Sequence, residues 1–132
     1  MRSKLTILFI LLFFLGHYQA QSQNPPIDST IIGVWKGTSI CQVQNTSCQD
    51  EIVVYYITKA QGVDSFNVSA NKIVNGKEVE MGVIEFKLDR KINRLISNDH
   101  NAVWKFDLKK RGLEGTLVYK GTFYRIIKLT KQ

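Results

Sequence analysis

The sequence predicts an all-β protein, an eight-stranded antiparallel up-and-down barrel, with a β-sandwich as the alternative. Three observations predict it. From residue 31 onward the chain breaks into short runs rich in β-branched and aromatic residues, punctuated by glycine, asparagine and aspartate. Asn75-Gly76 and Lys120-Gly121 are two-residue links with the chemistry of tight hairpins, so consecutive strands should be neighbours. Trp104, Phe106 and Leu108 alternate with Lys105 and Asp107, as a half-buried strand demands. Closing such a meander on itself removes its exposed edges, which favours the barrel over two packed sheets.

The elements follow in order. Residues 1–20 have the three parts of a signal peptide: a positive start at Arg2 and Lys4, an apolar run over 5–15, and a small, polar exit ending at Ala20. That run is short of the roughly 20 residues needed to cross a bilayer, so cleavage and export to the periplasm or beyond are expected. Residues 21–30 are polar, hold Pro25 and Pro26, and read as an extended leader. A single domain then spans 31–132.

Eight runs within it read as strands: 31–41, 51–58, 65–73, 78–88, 93–97, 102–108, 113–119 and 122–129. Gln61-Gly62, Asn98-Asp99 and Arg111-Gly112 mark the remaining turns. In the fourth run the apolar phase changes from Val79 and Met81 to Ile84, Phe86 and Leu88, which predicts a β-bulge at Gly82-Val83. The second run, 52–57, is apolar on both sides and gives no phase. The clean alternating stretches are shorter than the roughly 9 to 11 residues of a membrane-spanning strand, so no membrane insertion is expected after cleavage.

Cys41 and Cys48 are the two cysteines, and export places them where thiols oxidise. A disulfide between them would close a small loop, worth about 2 to 3 kcal/mol on the chain-entropy model. The net charge is +7, two less once Arg2 and Lys4 leave with the signal, and the basic residues are spread along the chain without one dense patch. The tightest group, Lys109-Lys110-Arg111, reads as a solvated turn. Aromatics interleaved with cations at Trp104-Lys105-Phe106 resemble a base-stacking platform, but alternation puts rings and cations on opposite faces, and no nucleic-acid partner is expected.

Catalytic constellations are sparse. His100 is the one histidine outside the signal, and it sits in a turn. No metal site, cofactor or enzymatic activity is expected from so few general acids and bases. The paired acids Asp50-Glu51 and Glu78 with Glu80 read as surface carboxylates.

Gly33-Val34-Trp35 at the start of the first strand, together with Arg125 near the end of the last, resembles the calycin arrangement of lipocalins and their relatives. That resemblance implies a tryptophan at the closed end of the barrel, packed against an arginine from the last strand. Avidin-like barrels are similar in strand number and size, although their ligand-binding set has no counterpart here. Residues 33–41 and 48–55 also resemble small exported bacterial proteins, a similarity that covers most of the mature chain and implies no activity.

The expected function is therefore non-catalytic. An inward set of Trp35, Phe86, Trp104, Phe106, Tyr119 and Arg125 would either line a cavity for a small hydrophobic or amphipathic ligand or fill the barrel solid. The alternative is an accessory protein that contacts an envelope protein or polysaccharide through its basic surface or its disulfide loop.

Overall fold

The computed structural model describes residues 26–44 and 46–132; the expected signal peptide and the first part of the leader lie outside the described residues. Eight strands follow one short helix: α1 (Ile27–Ile31), β1 (Gly33–Cys41), β2 (Glu51–Lys59), β3 (Ser65–Val74), β4 (Lys77–Asp89), β5 (Arg94–Asp99), β6 (Ala102–Lys109), β7 (Gly112–Tyr119) and β8 (Thr122–Lys131). Each strand is antiparallel to the next, and β1 pairs with β8 to close the barrel. The sandwich alternative falls with that closure.

The described end of the leader is not extended. Pro26 begins a single helical turn, where its missing N–H removes no helical bond, and Asp28 in the first turn complements the helix dipole. The turn ends at Ile32, whose N–H donates to the Asp28 carbonyl at 2.9 Å. It forms because Ile27 and Ile31, one turn apart, reach the barrel together; Ile31 is fully buried and Ile27 packs on the core.

Strand pairing places the remaining core. Val53, Tyr55 and Ile57 of β2 point inward with Phe66, Val68 and Ala70 of β3, then Phe86 and Leu88 of β4, Leu95 of β5 and Phe106 of β6. Phe106 meets Phe86 edge-on at 5.6 Å and Tyr55 at 6.2 Å between ring centroids, and Trp104 stacks beside it at 6.4 Å. A bulge interrupts the β3–β4 ladder: Ala70 pairs with Gly82 and Asn71 with Glu80, so Met81 is the extra residue, just before the expected position. A second bulge, which alternation did not reveal, makes Tyr124 the extra residue of β8.

One end of the barrel is closed. Trp35 Nε1 donates to the Ile31 carbonyl at 2.8 Å, and Lys131 Nζ lies 5.8 Å from the centre of the indole while donating to the carbonyls of Ser29 and Thr30. Arg90 ties the same end from outside, bridging Asp28 and Asp64. The arginine implied by the calycin resemblance is therefore not the cation at Trp35. In the β1–β8 register Trp35 stands opposite Lys131 and Cys41 opposite Arg125. Six residues of strand rise separate the two cations, roughly 20 Å, which no side chain spans.

The interior is packed rather than hollow at its centre. The space among Tyr55, Ile57, Val68, Leu95, Phe106, Leu113 and Leu129 admits no water-sized sphere. Gly115 shows how tight this is, because a Cβ there would run into the Phe106 ring. Gly115→Ala should therefore cost about 1 to 3 kcal/mol in urea unfolding. Combining it with Phe106→Leu should recover part of that loss, giving a favourable coupling in the double-mutant cycle; strictly additive losses would contradict the packing described.

Arg94 and Asp107 form a two-bond pair across β5 and β6, at 2.6 and 3.2 Å. The guanidinium holds the Asp107 carboxyl below the usual carboxylate range. Folding thus favours the ionised acid, so the pair's contribution is complete above pH ~4 and is lost as pH falls through the depressed value. Asp107→Asn should lessen the acid-side fall in the urea midpoint, and an unchanged acid limb would contradict this.

Candidate functional site at the barrel mouth

The open end carries the 42–50 disulfide loop and the hairpin turns at 75–76, 100–101 and 120–121. Just inside it, pairing sets Ser97, Trp104, Leu117, Arg125 and Cys41 side by side on five consecutive strands around the wall. Alternation points all five inward. Trp104 packs against the core cluster from its mouth side and is only half-buried.

Charged groups complete the ring. Lys72 of β3 reaches Glu51 of β2 at 3.2 Å, and Arg125 approaches the other oxygen of Glu51 at 3.6 Å. Arg125 Nη1 also donates to the Ser39 hydroxyl, the Ser39 carbonyl and the Gln49 carbonyl, at 3.2, 3.3 and 3.1 Å. Only 12% of the Arg125 side chain is exposed, so these bonds offset the cost of withdrawing its charge from water. Among the described residues its hydrogen bonds use Nη1 alone, which leaves the donors of Nε and Nη2. Two cations thus face one carboxylate.

Burial pushes the Tyr55 phenol far above its ordinary value; Glu51 adds to the shift and Arg125 opposes it. The hydroxyl therefore stays protonated beneath the charged ring.

The disulfide Cys41–Cys48, with Cα atoms 6.1 Å apart, joins the end of β1 to the loop that follows. Asp50 accepts from the Cys41 N–H at 2.9 Å, and Arg125 holds the Gln49 carbonyl, so both legs of the loop are pinned to the mouth.

Of the sequence-expected set, Phe86 and Phe106 lie in the core, Trp35 closes the opposite end, and Trp104 and Arg125 stand at the mouth on either side of Leu117. Tyr119 is neither buried nor a plug: it keeps the inward register but lies on the rim, 39% exposed, edge-on to Tyr124. Glu51 and Asp50 are not free surface acids, since one enters the barrel and the other caps the Cys41 N–H. Glu51 and Lys72 were missed as site residues, although each continues an apolar inward phase: Glu51 with Val53, Tyr55 and Ile57, and Lys72 with Phe66, Val68 and Ala70. A charge in that phase was the available signal.

Two further features lie outside the mouth. His100 is exposed on its turn beside Asp99. On the outer wall, Lys36 of β1, Lys128 of β8, Lys109 at the end of β6 and Arg111 of the turn after it surround a groove of about 400 Å³, with Glu114 at its side. Cations scattered along the sequence are thus gathered into one patch by strand pairing, contrary to the expectation of no dense cluster.

Among the described residues, no helix is long and apolar enough to cross a membrane, and no cluster of metal-ligating side chains is present. Neither a protein-family model, nor a curated protein, nor a solved structure matches this chain.

Folding favours the neutral Tyr55 phenol, so its contribution is full below pH ~10 and falls as pH rises above that value. In an ultraviolet titration one tyrosine should resist ionisation until the barrel unfolds, and Tyr55→Phe should remove that resistant fraction. A single uniform transition near pH ~10 in the native protein would contradict the burial.

Proposed function

We propose that the mature chain is an exported, non-catalytic binding protein that takes a small amphipathic anion at the barrel mouth. The observation that carries this reading is the adjacency of an apolar wall, Trp104 and Leu117, to Arg125 with donors still available. An apolar tail would lie against the indole, and the acidic head would meet Arg125 and Lys72, whose charges together exceed that of Glu51. The packed centre argues for a ligand held at the mouth rather than swallowed. The signal-like 1–20 segment and the disulfide support an oxidising, exported location.

The test compares decanoate with decanol, following Trp104 emission. Decanoate should shift the emission and decanol should do so only weakly. Lys72→Met should weaken decanoate by about tenfold, the loss of one partly shielded charge contact, and leave decanol unchanged. Trp104→Phe should abolish the signal. No emission change with decanoate overturns the reading.

The outer groove favours a second reading, in which Lys36, Lys109, Arg111 and Lys128 contact an acidic polysaccharide. Retention on such a polymer would then fall steeply with salt and with removal of these four charges, while decanoate binding stayed the same.

A further inference from the structure

The barrel is closed in order but not along its full height. β4 pairs with β3 from Lys77 to Lys87, whereas only Lys87, Leu88 and Asp89 pair with β5. Above Lys87 the β5-facing side of β4 has no strand partner.

The groups left open can be identified. The Leu88 N–H donates to the Asp64 carbonyl, toward β3. In an antiparallel strand the N–H and C=O of one residue point to the same side, and the side alternates along the chain. Phe86, Ile84 and Gly82 therefore bond toward β3, while Glu85 and Val83 present both backbone groups to the gap. Beyond the extra residue Met81, Val79 and Lys77 continue toward β3, and Glu80 and Glu78 face the gap.

This edge is long, exposed and partly apolar. Val79, Met81 and Val83 are 42%, 44% and 61% exposed. On the outward face stand Glu78, Glu80 and Glu85, on a chain whose net charge is strongly positive. Glu78 is drawn back across β3 by Tyr56 and Asn71, and Glu85 has Lys87 at 3.7 Å in an exposed pair of little strength. Glu80 and Glu85 therefore flank Val83 along the open edge.

A second copy offers no basic residue to Glu80 and Glu85: set with Val83 against Glu80 it opposes Glu78 to Glu85, and set with Val83 against Glu85 it brings the two Glu85 side chains together diagonally. We propose that the β4 edge receives an extended segment of another protein by strand addition, with basic residues facing outward opposite Glu80 and Glu85 and apolar residues facing inward. Main-chain bonds to Val83 and Glu85 would supply affinity, and the alternating basic and apolar side chains would supply selectivity.

The probe is a fluorescein-labelled peptide alternating lysine and valine, long enough to match β4. Its anisotropy should rise with the full mature protein, and hydrogen exchange should slow at the amides of Val83 and Glu85. Glu80→Lys combined with Glu85→Lys should weaken binding at least about tenfold. A peptide N-methylated at alternate amides should lose binding, because its charge is kept but its strand edge is blocked. Val83→Pro removes one gap-facing N–H without touching the β3 ladder and should act likewise; if that variant does not fold, the charge reversal and the methylated peptide remain decisive. No binding, binding indifferent to methylation or charge reversal, or protection at the mouth instead of β4 would overturn the proposal. So would a dimer of the protein alone with Val83 and Glu85 already protected, which would assign the edge to a second copy.

Discussion

The hydrogen-bonded seam between β1 and β8 is the constraint on which the rest of the structure depends. It turns a meander into a barrel, and its register distributes the charged side chains between the two ends. Lys131 reaches the indole of Trp35 because those residues are opposite one another, and Arg125, opposite Cys41, reaches the Gln49 carbonyl of the disulfide loop. Gly37 makes the seam possible: a Cβ there would collide with the Lys128 carbonyl, so any larger residue would force the two strands apart.

Polarity along the barrel axis follows from that register. At the closed end a helical turn, an indole and an ammonium satisfy one another's hydrogen bonds, so the end is sealed without a buried unpaired charge. Past the aromatic layer of Tyr55, Phe86 and Phe106, the same inward phase carries Glu51, Lys72 and Arg125. Ionised groups there are tolerable because the mouth admits water and because each has a partner within 3.6 Å. A solid half thus supports a charged half, which positions Arg125 on rigid strands.

Strand existence and order were legible from residue type alone, since β-branched runs between turn residues mark each of the eight strands. The phase change at Val79 to Ile84 even revealed a bulge, misplaced by a residue because Met81 and Val83 are both apolar. The second bulge stayed hidden because residues 123–127 hold apolar side chains on both faces, so inserting Tyr124 changes no visible pattern. Helix α1 was missed because one turn is too short for periodicity, although Ile27 and Ile31 have the right spacing. Arg125 and Lys131 show the deeper limit. Both are basic residues on the last strand, and which one meets Trp35 depends on how β1 pairs with β8, a long-range choice that neither strand's own sequence encodes.

Turn placement sets how far the opening between β4 and β5 extends. Asn75 and Gly76, with φ of 52° and 76°, turn the chain only after β3 has run ten residues, so β4 starts far out along its partner. His100 and Asn101, with φ of 46° and 65°, turn it after β5 has run only six. Both are tight turns that commit the next residue to pairing, so neither strand can adjust its length to the other. Pairing with β4 stops at Ile96 although β5 runs on along β6 to Asp99, and beyond Asp99 the chain turns away, so the backbone groups of Glu78, Glu80, Val83 and Glu85 have no strand partner. Water can serve those groups, which makes the opening tolerable in isolation. It also leaves backbone groups that another extended segment could bond in place of water.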